Sequence, residues 1–284
     1  MAYRDFRVLV AVGEESQLSP LLTFACALAQ TQQGAVTLLC VTRHGERPDW
    51  LHVSDRRTDV PIRVVVRAGD RPSKVILAAA DDLHPGLLLM GWRGSAGQPK
   101  YLLGSKLDLI IRYAPCDVAV VRLGDLGPVH RELVPMSSGP NSPLAMELAL
   151  RLSDVEATAL NVVRESLGPA AEAAGRVQLD GVLEAWAGDD RVSAKAVRAS
   201  GIVEGILEES ASGYGVVFIG ATNESYIDRK LFGNVPQAVA ADAPVLTVVF
   251  RRHAGPVKML FRQVERHVLH WSRSGVCSVG FANG

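Results

Sequence analysis

The chain has 284 residues, 48% of them hydrophobic and 21% charged, which supplies enough apolar material for a sizeable core and excludes disorder as the main state. At roughly 100 to 200 residues per domain, this length favours two domains over one. Thirty Lys+Arg balance thirty Asp+Glu, so no whole-molecule field exists to hold nucleic acid or an anionic membrane, and any phosphate binding has to be local.

From the N-terminus onward, short apolar runs alternate with helix-length segments, the pattern of a parallel sheet with crossover helices. Residues 6–12 read as a first strand, 20–32 as a helix and 36–42 as a second strand, followed by a polar loop over 44–59. Residues 61–67 read as a third strand, 72–83 as a helix with Pro72 in its first turn, and 87–90 as a fourth strand. A helix over 105–113 stops before Pro115, and 117–123 forms a fifth strand. The unbroken apolar character of the second and fourth strands fits a sheet covered on both faces.

After a short linker, 124–129 (GDLGPV), the pattern starts again, with strands near 131–136, 158–163, 192–197, 216–219 and 245–250. Residues 87–122 lie on 216–251 without a gap at an offset of 129, pairing Gly91 with Gly220, Gly104 with Gly233 and Pro115 with Pro244. Leu9-Val10-Ala11-Val12 likewise lies on Leu133-Val134-Pro135-Met136. Two copies of one domain follow, at 1–124 and 130–252, and so short a linker predicts a pseudo-two-fold pair within the chain. The tail, 253–284, carries Leu260, Val264, Val268 and Trp271 at helical spacing with Lys258, Arg262 and Arg266 elsewhere around the wheel. This basic amphipathic helix suits either docking on protein or contact with a membrane surface.

In a doubly wound sheet, ligands bind beyond the carboxyl ends of the strands where the chain reverses direction, here between the first and fourth strands. The segment after the fourth strand reads Gly91-Trp92-Arg93-Gly94, nine residues, then Gly104-Ser105, a G-x2-G-x9-G-S pattern whose last element opens a helix. Glycines let backbone amides approach an anion closely, and a helix N-terminus offers free N–H donors and partial positive charge. Arg93, Lys100 and Lys106 add charge, with no acidic residue between Gly91 and Lys106. The same glycines also suit turns and a helix cap, and Trp92 suits either stacking on a base or ordinary packing.

These residues, with the APCDVAVVR-like last strand, resemble the universal stress protein family over about 4–123 and 130–251. The resemblance implies an α/β fold of two tandem doubly wound five-stranded parallel sheets, adenine nucleotide alpha-hydrolase-like with strand order 3-2-1-4-5, joined through their last strands. It also implies ATP, ADP or AMP as ligand, with Mg2+ accompanying the triphosphate, and a signalling or stress-response role. Phosphates would meet Gly94, Gly104, Ser105 and the backbone of Lys106, beside Arg93. Met90 and Gly91 would line the ribose or base, and the backbone of Val41 would meet adenine. Gly13 stands where the family often has Asp, which removes the usual carboxylate contact unless Glu14 or Glu15 replaces it.

The second copy departs further. Asn223 replaces the second glycine and Asn234 the serine, and Glu224 and Asp228 cancel Arg229 and Lys230, which predicts weak binding or none. Homodimerisation through domain edges or the tail, and a membrane-protein partner such as a transporter, are further expectations from the resemblance. A nucleotide-independent scaffold is the alternative.

No P-loop, G-x-G-x-x-G after the first strand or G-x-S-x-G elbow is present. No positioned general base emerges, so slow ATP hydrolysis is the most that is expected. His267, His270 and Cys277 lack the spacing of a closed metal site. Cys26, Cys40, Cys116 and Cys277 lie far apart and read as reduced, mostly buried thiols. With no apolar run near the about 20 residues of a membrane span and no leader pattern, the expected setting is cytoplasmic, with membrane-peripheral attachment through the tail as an extension.

Overall fold

A computed structural model describes residues 6–30, 33–52, 59–92, 105–122, 131–136, 141–152, 155–221 and 234–253. The first half contains β1 (Arg7–Val12), α1 (Glu15–Gln30), β2 (Ala35–Thr42), β3 (Ile62–Ala68), α2 (Pro72–Leu83), β4 (Leu87–Trp92), α3 (Ser105–Tyr113) and β5 (Asp117–Arg122). The second half contains β6 (Arg131–Pro135), α4 (Asn141–Leu152), β7 (Glu156–Arg164), α5 (Pro169–Leu183), β8 (Val192–Ala199), α6 (Ile202–Ser210), β9 (Val216–Gly220), α7 (Asn234–Asp242) and β10 (Leu246–Arg251).

All ten strands join one sheet in the order β3-β2-β1-β4-β5-β10-β9-β6-β7-β8, so each half follows 3-2-1-4-5. Pairs within each half are parallel, as crossover helices require. At the junction, β5 and β10 run antiparallel, with Arg122 opposite Thr247 and Val118 opposite Arg251. The Arg122 guanidinium also donates to the Ala243 carbonyl at 2.7 Å. The expected intramolecular pair is therefore formed by the two last strands, and residues up to Arg252 make one compact unit.

Both faces are apolar because alternate strand residues point to opposite sides and each side carries helices. One layer holds Val8, Val10, Phe24, Val134, Phe218 and Phe250, and the other holds Leu9, Leu39, Met90, Trp92, Ile111 and Val249. Phe24 on α1 stacks on Phe218 of β9 with centroids 6.3 Å apart, and Phe218 stacks on Phe250 at 5.8 Å. This aromatic row crosses from one half to the other, so the halves share a core.

Two local features differ from the sequence reading. α1 begins at Glu15 and carries Pro20 inside it. The Glu14 carbonyl accepts the Gln17 amide to start the helix, and burial of Leu21, Leu22, Phe24, Ala25 and Leu28 offsets the backbone bond that proline removes. β4 runs two residues further than expected, pairing Gly91 with Val121 and Trp92 with Arg122, so Gly91 lies within the strand rather than opening a loop. Between β2 and β3, as expected, the described residues form neither helix nor strand, and Leu51 is fully buried in the core layer that holds Val8 and Phe24. Arg47 holds that segment by donating from Nε and Nη2 to the Leu51 carbonyl at 3.0 and 2.7 Å.

Cys26, Cys40 and Cys116 are buried and form no disulfide among the described residues. Burial, helped by the neighbouring Asp117 charge, pushes the Cys116 thiol up to about 12, and burial also raises Cys40. Cys277, the linker 124–129 and the tail helix 257–271 lie outside the described residues. Among the described residues, no helix is long and apolar enough to cross a membrane.

Candidate functional site

The chain steps from β1 to β2 to β3 in one direction and returns with β4 on the other side of β1, which makes the carboxyl ends of β1 and β4 the switch point. Ala11 pairs with Met90, and Val12 pairs with Cys40, so Gly13, Val41 and Gly91 follow at the same edge. α3 opens at Ser105 and runs nine residues back along the sheet toward the start of β5, which sets its N-terminus at that edge too. Its first amides have no partner within the helix.

Four expected site residues are thus gathered by topology: Gly13, Val41, Met90 and Gly91. Gly13 and Val41 differ in exposure, the first exposed and the second half-buried, while Gly91 is half-exposed. Met90 is 2% exposed, so its side chain belongs to the core and its backbone alone can face a ligand. The backbones of Ser105 and Lys106 begin α3, but their side chains lie outside the described residues, as do Arg93, Gly94 and Gly104 entirely.

Gly13 donates its N–H to Gln17 Oε1 at 3.0 Å. A Cβ there would meet nothing nearer than that oxygen at 3.9 Å, so sterics do not explain the glycine. At the neighbouring end of β2, the Thr42 hydroxyl donates to the Glu46 carbonyl at 3.0 Å and accepts the Gly45 amide at 3.1 Å, turning the chain away from the edge. Gly45 has φ +84°, a left-handed conformation that favours glycine. Arg43 and Asp70 pair at 3.0 Å across this rim, both about three-quarters exposed.

Trp92 is packed into the core layer at 8% exposure, which settles its side chain as packing rather than an exposed stacking platform. Its buried Nε1–H has no acceptor among the described residues. An unmet buried donor of this kind costs roughly 1–3 kcal/mol.

The corresponding edge of the second half is built differently. Aligning β1 with β6 makes Asn141 the counterpart of Gln17. Asn141 is 7% exposed and donates from Nδ2 to the Ala221 carbonyl at 2.5 Å, while its Oδ1 accepts the Arg252 amide at 3.0 Å. It thereby ties the start of α4 to the ends of β9 and β10. A Cβ at Gly220 would lie 2.6 to 2.8 Å from Asn141 atoms, so this glycine exists for the close approach of α4. Sequence reasoning missed Asn141; Asn-Ser-Pro signals a helix start, but nothing local signals its bridge to residues 80 and 111 positions away. The second-copy loop, including Asn223, Glu224, Asp228, Arg229, Lys230 and Gly233, lies outside the described residues.

Among the described residues, no three His, Cys, Asp or Glu side chains gather in a way that could hold a metal. His267 and His270 lie outside the described residues.

Residues 52–122 match the sequence model of the universal stress protein family. No curated protein matches the chain. A functionally unknown protein from Pseudomonas aeruginosa PAO1 is similar in structure, with 15% identity, a TM-score of 0.64 and coverage of 93% of this chain and 97% of that one. A universal stress protein from Archaeoglobus fulgidus DSM 4304 has 16% identity, a TM-score of 0.61 and coverage of 87% and 98%. The cytoplasmic domain of a prokaryotic cation chloride cotransporter has 11% identity, a TM-score of 0.62 and coverage of 90% and 99%. At these identities the structural likeness is one of fold. Residues 52–122 thus carry the likeness in sequence to the universal stress protein family, and the strand order 3-2-1-4-5 recurs in both halves, so the chain is a tandem of two folds of one kind.

Proposed function

We propose that the first domain, 1–124, binds an adenine nucleotide, ATP or its products ADP and AMP, at the carboxyl edge of β1 and β4, and that occupancy regulates what the chain docks on. The observation that carries this reading is the asymmetry between the two carboxyl edges. Asn141 closes the edge of the domain at 130–252 with two hydrogen bonds, whereas Gln17 turns back to Gly13 and leaves that glycine exposed.

The residues present fit a polyphosphate. The opening amides of α3 and the glycines Gly94 and Gly104 supply N–H donors, each helix N-terminal interaction being worth roughly 0.3–1 kcal/mol. Arg93 and Lys106 supply charge, the Ser105 hydroxyl a further donor, and Val41 and Gly91 backbone toward the nucleoside. An acceptor placed against Trp92 Nε1 would also relieve its unmet donor. Gly13 brings no carboxylate, so nucleoside recognition rests on backbone. Mg2+ would travel with the triphosphate. The three buried thiols suit a reducing, cytoplasmic setting. A homodimer would use β3 or β8, the outer strands, since β5 and β10 pair with each other.

Millimolar ATP is expected to raise the melting temperature of the full chain, Gly104→Val to abolish that rise and Asn234→Ala to leave it intact. A rise that survives Gly104→Val sinks the site. The second reading, a nucleotide-independent scaffold that docks on a membrane transporter, is favoured by the fold shared with a cotransporter's cytoplasmic domain. Purification without nucleotide, together with no stabilisation by ATP, would select it. Vesicle flotation with and without residues 254–284 reads the contribution of the tail.

A further inference from the structure

The amino edge of the sheet, opposite the carboxyl-edge crevice, also differs between the halves. Gly86 donates its amide to the Arg7 carbonyl at 2.9 Å, and Gly215 donates to the Arg131 carbonyl at 3.0 Å. These matching bonds make Arg7 the counterpart of Arg131 and Pro85 the counterpart of Tyr214. Strand register makes Thr37 equivalent to Thr158 and Arg63 equivalent to Ser193.

In the second half this place is filled from within. Tyr214 is 5% exposed, with the Arg131 guanidinium 4.5 Å over its ring and Arg131 Nη2 donating to the phenol oxygen at 3.1 Å. The phenol donates to Glu209 Oε1 at 3.1 Å, and Lys195 Nζ donates to the same oxygen at 2.7 Å. A ring, a hydroxyl and a carboxylate thus sit among cationic side chains.

In the first half proline replaces the tyrosine and a cavity of about 280 Å³ remains, lined by Arg7, Leu9, Thr37, Arg63, Leu83 and Pro85 among others. Arg7 keeps only a long 3.5 Å contact to the Leu83 carbonyl. Among the described residues neither Arg7 nor Arg63 has a carboxylate partner. Two cations over an apolar floor suit an anion with a flat apolar body. The volume falls just below the usual range of about 300 to 1,000 Å³ for drug-sized ligands, which selects one ring over a nucleotide.

We propose that this cavity is a second ligand site, which takes a small hydroxyaryl carboxylate with its ring beneath Arg7, as Tyr214 lies beneath Arg131, and its carboxylate held by Arg7 and Arg63. The second half shows the occupied form of the place and the first half the form left for an external ligand. The site stands apart from the nucleotide reading, because a six-residue strand places the two edges roughly 20 Å apart.

The test is titration of 3-(4-hydroxyphenyl)propionate into the full chain by calorimetry, with and without saturating ATP. Saturable binding that ATP does not alter is expected. Arg63→Glu, a change at an exposed position, should weaken it at least about tenfold, the scale of a lost charge-assisted bond. Pro85→Tyr should abolish it by restoring the second half's ring, and neutral 4-ethylphenol should bind at least about tenfold more weakly than the acid. Lack of saturation at about 10 mM probe, an affinity near 2.7 kcal/mol, overturns the site, as does binding that neither variant changes.

Discussion

The second half fills both edges of its sheet with its own side chains, Asn141 at the carboxyl edge and Tyr214 at the amino edge, while the first half carries Gln17 and Pro85 at those places. Strand order and the shared core are the same in both, down to Phe218 packing between Phe24 and Phe250. The difference teaches where a duplicated fold is free to change. Interior positions are packed against several neighbours and each change is felt throughout, whereas a residue beyond a strand end can gain or lose a ligand's place at local cost.

The largest effect that tests this comparison comes from the glycines. Gly220→Ala forces a Cβ within 2.6 to 2.8 Å of Asn141 atoms and should cost about 3 kcal/mol in urea unfolding of the full chain. Gly13→Ala, with its nearest neighbour at 3.9 Å, should stay within about 1 kcal/mol. Equal costs would show that the two carboxyl edges are built alike. A smaller effect belongs to the side chains that follow them. Asn141→Ala leaves the buried Ala221 carbonyl and the part-buried Arg252 amide unmet and should cost roughly 1–3 kcal/mol, against less than about 1 kcal/mol for Gln17→Ala, whose bond is exposed.

The smallest effect at neutral pH is that of Cys116, whose counterpart at the 129-residue offset is Val245. Its thiol rises from the usual 9.0 to about 12 on folding, because burial disfavours the thiolate. The contribution to stability is therefore complete below pH 9 and is lost as pH climbs from 9 toward about 12. Cys116→Val should change stability by less than about 1.5 kcal/mol at pH 7 and make the alkaline fall less steep, as pH-dependent denaturation curves would show. An unchanged alkaline slope would mean that the thiol ionises equally well in the folded protein.

Much of the architecture was legible because strands buried on both faces leave continuous apolar runs, such as Leu87 to Met90, and because the gap-free match of 87–122 to 216–251 exposed the duplication. The glycine pattern begins at the switch-point edge, with Gly91 near the end of β4, since chain reversal there follows from strand order alone. Strand ends were harder to read. Gly91 looks like a breaker in isolation, yet pairing with Val121 carries β4 through Trp92. Pro20 looks like a helix start, yet an apolar face on both sides of it keeps α1 intact. Asn141 and Tyr214 were missed for a different reason: each acts through partners distant in the chain, and pattern reading along one segment contains no information about them. Extending the 129-residue offset two positions upstream of the aligned segment sets Tyr214 opposite Pro85, but only the structure shows that one side chain fills what the other leaves hollow.

The antiparallel seam of β5 against β10 has a consequence for how such an unequal pair can persist. When two separate chains meet along that seam, dilution parts them and exchange mixes partners, so a population with one altered copy scrambles into several combinations. Covalent tethering makes the encounter intramolecular, fixes the stoichiometry at one of each kind and removes concentration from the equilibrium. One member can then surrender its own cavities and serve as a permanent buttress, always matched to the member that keeps them.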